Sequence, residues 1–129
     1  MTDDQPNSWA AIVGPYYIAH SIARELGWPS QQVSASAVAL ELLELTTVER
    51  TPLYPEFQVW NGRVVKGSGE VLQALSAGTA STWTWAQWLN APVDDETGEP
   101  APSAIEQLRA GQVDKDLLDA RHAAAAWRS

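Results

Sequence analysis

Hydrophobic residues recur every four positions near the start of the chain and predict a first helix. Ile18, Ile22 and Leu26 lie on one helical face, and Gly27 follows them as a typical helix stop. The pattern therefore predicts a helix over about residues 17–26.

A second helix is predicted after the Trp-Pro turn that follows Gly27. Ser30 is in position to cap this helix, and its apolar stripe is Val33, Ala37 and Leu40. Two helices joined by so short a turn form a helix-turn-helix. The next apolar residues, over 42–54, suit short strands around a Thr-Pro turn, which predicts a small antiparallel wing beside the helices.

The centre of the chain, residues 53–75, combines strand, turn and helix signals. Val59 and Val64 favour strands, and Asn61-Gly62 between them can adopt the positive φ angles of a tight hairpin turn. Ser68 can cap a following helix, whose inward face consists of Val71, Leu72 and Leu75. A β-hairpin followed by a helix is predicted here.

The remaining chain predicts three more helices, interrupted by an acidic loop. Trp85, Trp88 and Leu89 share one face of the first, and the loop over 93–102 holds four acidic residues and two prolines. Ser103 and Glu106 have the spacing of a capping box that begins the next helix. The last helix has an inward stripe at spacings of three and four, formed by Val113, Leu117, Ala120, Ala124 and Trp127.

Together these elements predict a mostly α protein with a small β-hairpin. A helix-turn-helix or winged N-terminal half would pack on a helical C-terminal half, because 129 residues suffice for one buried core. Residues 1–8 are polar and without periodicity, and are expected to be a disordered tail. Residues 9–66 would form the helix-turn-helix with its β-hairpin, and residues 67–129 the helical region.

The chain is strongly acidic, with 16 acidic against 8 basic side chains and a formal net charge of −8. The mean field of such a protein repels phosphate backbones, so any contact with DNA must come from a local patch. There is no cysteine, no export signal at the amino terminus and no apolar run of membrane-spanning length. We therefore expect a cytoplasmic protein that does not bind membranes.

The sequence contains no pattern of catalytic or metal-binding residues. His20 and His122 belong to no ligand motif, and the acidic residues of the 93–102 loop lack calcium-loop spacing. Gly67 and Gly69 lack the third glycine of a dinucleotide-binding fingerprint, and no serine lies in a nucleophile elbow. We predict a protein that is not an enzyme and uses neither a metal nor a cofactor.

Seven tryptophans are the main compositional oddity of the chain. Indoles fill cores, and they are also enriched at the centres of protein interfaces. Trp83, Trp85 and Trp88 cover more than one side of a single helix, so at least one of them is expected to face away from its own core. Trp85 and Trp127 are the first candidates for exposure, Trp60 is another, and the surplus of indoles suggests a homodimer.

Several segments jointly resemble a known bacterial family. They are the helix-turn-helix over 18–30, Tyr54-Pro-Glu-Phe-Gln with Gly62-Arg-Val-Val, Gly67-x-x-Glu-Val-Leu, Trp88-Leu89-x-x-Pro92 and the run over 102–111. From Gly14 to Trp127 the chain resembles antitoxins of the Xre/MbcA/ParS type, which carry a helix-turn-helix followed by a toxin-binding domain.

The resemblance implies an antitoxin-like protein that binds and neutralises a toxin or similar protein partner, without catalysis. The toxin implied is of the RES class, which consumes NAD. Residues 67–129 would be the toxin-binding-like region. Its candidate partner-binding residues are Trp83, Trp85, Trp88, Leu108 and Trp127.

The alternative function is that of a DNA-binding transcriptional regulator of its own operon, with weak or lost affinity for DNA. The resemblance then implies base contacts from Ser30, Gln31, Gln32 and Ser34 on the second helix. Glutamine can pair with adenine in the major groove. Where similar proteins of this family have Arg and Lys on the second helix, this chain has no basic residue between Arg24 and Arg50, so few phosphates would be contacted.

Overall fold

Two helices joined by a three-residue turn lie near the start of the part of the chain that the structure describes. The structure is a computed structural model that describes residues 14–91, 93, 94, 98 and 100–128. Helix α1 spans Ala19–Leu26 and helix α2 spans Ser30–Val38. Between them Gly27 adopts a left-handed φ of 71°, and its N–H donates to main-chain carbonyls of α1. The predicted helix-turn-helix is confirmed.

The ends of these two helices differ from the prediction. Helix α1 begins at Ala19 because Tyr16–Tyr17 form strand β1 instead of a helical turn. Ser30 is the first residue of α2 and does not cap it, since the N-cap position is Pro29, which has no side-chain oxygen to accept a hydrogen bond. The predicted cap at Ser30 was therefore wrong.

A three-stranded antiparallel sheet lies beside the two helices, in the order β1-β3-β2. Strand β2 is Leu45–Thr46 and strand β3 is Pro52–Pro55. Leu45 pairs with Leu53, and Tyr17 of β1 pairs with Tyr54. The β2–β3 hairpin is the predicted wing, but its turn lies over residues 47–51 and not at the predicted Thr-Pro turn, because Pro52 belongs to β3.

A second hairpin follows a single 3-10 turn at Glu56–Gln58. It consists of β4, Val59–Trp60, and β5, Arg63–Val64, with Val59 opposite Val64. Asn61 and Gly62 have φ angles of 55° and 77°, as a two-residue type I′ turn requires. The hairpin tip lies against the end of α1. A Cβ added to Gly62 would lie 3.8 Å from the Glu25 carbonyl oxygen.

Four helices follow among the described residues: α3, Ser68–Ser76; α4, Thr82–Asn90; α5, Ala104–Arg109; and α6, Val113–Arg128. The predicted capping box of α5 is present in full, since Ser103 Oγ accepts from the Glu106 N–H and Glu106 accepts from the Ser103 N–H. Ser68 begins α3 and does not cap it, because Gly67 is the N-cap residue.

The acidic loop and the amino terminus are described only in part. Val93–Asp94 and Pro100–Ala101 pair as short strands β6 and β7 at the two ends of the loop. The predicted tail over residues 1–8 lies outside the described residues, as does Pro92 of the Trp88-Leu89-x-x-Pro92 segment.

The larger hydrophobic cluster draws on both halves of the sequence. Leu43, Leu45 and Phe57 pack in it together with residues of α3, α4, α5 and α6. A smaller cluster under the helix-turn-helix contains Ile22, Val33, Leu42, Ala23 and Tyr54. The fold is thus mostly α with a small antiparallel β component, and one core joins the winged half to the helical half.

Candidate functional site

Helix α2 has one buried and one exposed face. Val33 is fully buried and Ser36 nearly so, and both face the underlying core. The four predicted DNA-binding residues, Ser30, Gln31, Gln32 and Ser34, are all exposed. Within the described part of the chain, none of their side chains has a hydrogen-bond partner. The geometry thus leaves this polar face free to contact another molecule.

The wing ends in a tight turn that Thr47 stabilises. The Thr47 carbonyl accepts from the Arg50 N–H at 2.8 Å, and Thr47 Oγ1 accepts from the Thr51 N–H at 3.1 Å. These bonds hold Arg50 in a left-handed conformation with φ of 67°. Val48 and Arg50 are both exposed at this turn. The side chains of Arg50 and Val48 therefore project into solvent from a turn whose backbone is held by hydrogen bonds.

The negative charge of the protein is concentrated outside residues 14–66, the part that contains the helix-turn-helix and the wing. Residues 14–66 carry four basic and five acidic side chains, a net charge of −1 within the total of −8. The four cations are all exposed: Arg24, Arg50, Arg63 and Lys66. The field that opposes a polyanion is consequently much weaker here than the net charge suggests.

A basic cleft lies between the second hairpin and helix α5. Trp60, Arg63, Lys66 and Arg109 border a cavity of about 490 Å³. The Arg109 guanidinium donates a 2.6 Å hydrogen bond to the Phe57 carbonyl and lies 4.9 Å from the centre of the Trp60 ring. Neither the role of Arg109 nor this cleft was predicted from the sequence.

The five predicted partner-binding residues all lie in or against the larger core cluster. Trp85 is 4% exposed and Leu108 is 2% exposed, so both are core residues. The expectation that Trp85 faces solvent was wrong, because α4 is packed on more than one side. The Trp85 indole N–H donates to the Thr79 carbonyl, and that of Trp83 donates to the Thr46 carbonyl of β2. Trp88 and Trp127 are half-buried.

Trp88 and Trp127 meet at a cleft that also contains an unexpected buried carboxylate. This cleft, between α4, α5 and α6, has a volume of about 600 Å³ and is bordered by Asp116. Asp116 is fully buried. Its spacing of three from Val113 and four from Ala120 places it on the inward stripe of α6. This spacing is a signal for burial that the sequence contained, but the polar side chain of Asp116 obscured it.

Neither a cluster of metal ligands nor a membrane-spanning helix is found in the part of the chain that the structure describes. No group of three or more His, Cys, Asp or Glu side chains is placed to hold an ion. His20 and His122 are both exposed. None of the described helices is long and apolar enough to cross a membrane.

Comparison with known proteins identifies a shared fold. No family model matches the chain, and no curated protein matches it. Among solved structures, the chain is similar to the NMR structure of Rv2175c, with a TM-score of 0.67 and 23% identity. The match covers 85% of this chain and 81% of that chain, so it includes most of both halves of the fold.

Proposed function

We propose that this protein binds duplex DNA through its winged helix-turn-helix and acts as a transcriptional regulator. The observation that carries the proposal is the polar face of α2, where Ser30, Gln31, Gln32 and Ser34 are exposed without partners in the described part of the chain. In helix-turn-helix proteins the second helix enters the major groove with its N-terminal residues toward the bases. These four residues occupy that end of α2.

The chemistry of this face suits direct contact with bases. Glutamine can pair with adenine because its side-chain nitrogen donates to N7 while its side-chain oxygen accepts from the N6 amino group, and serine hydroxyls pair with several base edges. Val38 is 85% exposed at the end of α2, and Val48 is 73% exposed in the turn of the wing. Apolar side chains of this kind contact the methyl group of thymine. The expected site is therefore rich in A·T pairs.

Phosphate contacts would be few. Arg24, Arg50, Arg63 and Lys66 are the exposed cations of residues 14–66. If all four touched phosphates, log affinity would fall with log salt at a slope of about −3.6, since each contact contributes about −0.9. We therefore expect modest affinity with a shallow dependence on salt. A homodimer, which the sequence suggests, would bind two half-sites about 34 Å apart.

The experiment that tests this function is selection of duplexes from a random pool, followed by anisotropy measurements. We expect an enriched A·T-containing sequence, and at least a tenfold loss of affinity in the Gln31→Ala/Gln32→Ala variant, since each bidentate contact contributes about 1–3 kcal/mol. Gln73→Ala is the matched control, because Gln73 is an exposed glutamine on α3. Equal binding by the two variants would contradict the proposal.

Neutralisation of a protein toxin is the second candidate function. It is supported by Trp88 and Trp127, which are half-buried at the rim of one cleft where aromatic side chains of a partner could pack. We propose a RES-class toxin as the partner to test. Co-purification with such a toxin should require the C-terminal half and should weaken in Trp127→Ala. Loss of toxin binding in Gln31→Ala/Gln32→Ala but not in Trp127→Ala would count against this second function.

A further inference from the structure

The cleft between α4, α5 and α6 has the size of a small-molecule site. Its volume of about 600 Å³ lies within the usual range for pockets that hold organic ligands. Trp88 enters from α4, Gln107 from α5 and Trp127 from α6. The lining thus combines flat apolar surface with a few polar groups, as ligand sites do.

Asp116 is a buried carboxylate without a partner in this lining. It is 0% exposed, and both of its carboxylate oxygens lack a hydrogen-bond partner among the described residues. An ionised carboxylate can accept about four hydrogen bonds, and leaving it unpaired in a protein interior is costly. Folded proteins rarely retain such a group unless something pairs with it. The unpaired oxygens therefore point to a ligand with donor groups and positive charge.

The nearest cation of the cleft is already engaged. Lys115 Nζ lies 3.1 Å from Asp119 Oδ2 and 3.3 Å from Gln107 Oε1. This ion pair is exposed at the rim, where the side chains of Lys115 and Asp119 are 58% and 45% exposed. The charged lining residues are Lys115, Asp116 and Asp119, all on α6, while those from α4 and α5 are uncharged. The cleft thus has a surplus negative charge.

We propose that this cleft binds an organic cation with a flat guanidinium or amidinium group, which pairs with Asp116 and packs against Trp88 and Trp127. Such groups present parallel N–H donors that match the two oxygens of a carboxylate. Their planar faces also interact favourably with indole rings. The same chemistry occurs in free small molecules and in arginine side chains of other proteins. The site is separate from the proposed DNA-binding face on α2.

The ionisation of Asp116 makes the proposal testable through pH. Burial raises the pKa of Asp116 to about 6, with Asp119 adding to the rise and Lys115 opposing it. Near neutral pH the carboxylate is mostly ionised and able to bind a cation. At about pH 5 roughly nine tenths of it would be protonated, so affinity for a cation should fall about tenfold.

The test is an NMR titration of the full chain with benzamidine and with benzamide, its uncharged counterpart of nearly the same shape. We expect benzamidine to shift the indole N–H signals of Trp88 and Trp127, with affinity about tenfold lower at about pH 5. Benzamide should bind at least tenfold more weakly. Equal binding of the two compounds, or binding of neither, would overturn the proposal.

Two variants distinguish binding by the Asp116 carboxylate from a general effect of the acidic residues on α6. Asp116→Asn should lose about tenfold or more of the affinity for benzamidine, whereas Asp114→Asn, an exposed aspartate on the same helix, should keep it. Unchanged affinity in Asp116→Asn would refute the site. If that variant does not fold, the benzamidine-benzamide comparison and the pH dependence in the unaltered chain still decide the question.

The source of the cation can be resolved in a second arm of the same titration. The peptide acetyl-Gly-Arg-Gly-amide is compared with its Gln counterpart. Binding of the arginine peptide with an affinity similar to that of benzamidine would indicate a protein side chain as the occupant. Binding of benzamidine alone would indicate a small molecule. Either result supports a site for a guanidinium or amidinium group, and absence of benzamidine binding overturns the proposal.

Discussion

The guanidinium group of Arg109 lies 4.9 Å from the centre of the Trp60 indole ring. The same group donates to the carbonyl of Phe57, 52 residues earlier in the chain, at 2.6 Å. Arg109 ends helix α5, and Trp60 belongs to the second hairpin. This one side chain therefore joins the helical half of the protein to its winged half by two favourable interactions.

Arg109→Ala should lower the free energy of unfolding by about 2 kcal/mol, because it removes a charge-assisted hydrogen bond and a cation–π contact. Arg121→Ala is the control, since Arg121 is an exposed arginine on α6. Its effect should stay within about 0.5 kcal/mol. Urea denaturation measures both, and an equal effect of the two substitutions would show that Arg109 does not join the halves.

Gln58 is fully buried, and its side-chain amide pairs with the main chain of Leu43. Its Oε1 accepts from the Leu43 N–H at 2.8 Å, and its Nε2 donates to the Leu43 carbonyl at 2.9 Å. Gln58→Ala would leave both main-chain groups buried without partners, at a cost of about 3 kcal/mol. The effect is measured by urea denaturation against Gln73→Ala, and a loss no larger than that of the control would contradict this role.

Gly78, which follows the end of α3, lies close to the backbone of helix α6. A Cβ added there would lie 2.5 Å from Cα and 2.6 Å from the carbonyl oxygen of Ala124, so the backbones would have to separate. Gly78→Ala should therefore cost about 2 kcal/mol or more. Gly111→Ala meets nothing within 4 Å but is strained by its φ of 87°, and should cost only about 1 kcal/mol. Thermal unfolding that ranks them in reverse would refute the steric account.

Asp116 should make stability fall as pH rises. Burial raises its pKa from 3.8 to about 6, so between these values the folded protein retains a proton that the unfolded chain releases. The contribution of the Asp116 carboxyl group to the stability of the folded protein is therefore fully present below the unfolded pKa of 3.8, and it is lost as pH rises through the folded pKa of about 6. At neutral pH the loss amounts to roughly 3 kcal/mol. Asp116→Asn should consequently be more stable than the unaltered chain at neutral pH.

The measurement for Asp116 is the free energy of unfolding of both proteins at several values between about pH 4 and pH 7.5. The difference between them should change steadily over this range, in favour of Asp116→Asn at the higher values. A difference that does not depend on pH would show that the Asp116 carboxylate is not perturbed by burial.

Local signals in the sequence were sufficient for the elements that depend on neighbouring residues. Asn61-Gly62 requires only its own backbone to form a turn, and the capping box of Ser103 and Glu106 is complete within four residues. These features were predicted correctly. The helix-turn-helix was also predicted, because its periodicity and its glycine are adjacent in the chain.

Contacts between distant segments were the part that the sequence did not reveal. Trp85 was expected at the surface because one helix face cannot accommodate all its indoles, yet α4 contacts more than one neighbour and Trp85 is buried. The burial of Asp116 and the bond from Arg109 to Phe57 likewise depend on how α5 and α6 dock. Among these positions only Asp116 had a local signal, its spacing on the inward stripe of α6.

The most direct test of the proposed function is to map the DNA-binding surface by NMR, adding the selected duplex to the isotopically labelled full chain at low salt. The account predicts that main-chain signals over residues 30–34 and 47–51 shift first, together with the side-chain amides of Gln31 and Gln32, while signals of α6 change little. Shifts confined to residues 82–128, or none at all when duplex is in excess, would contradict it.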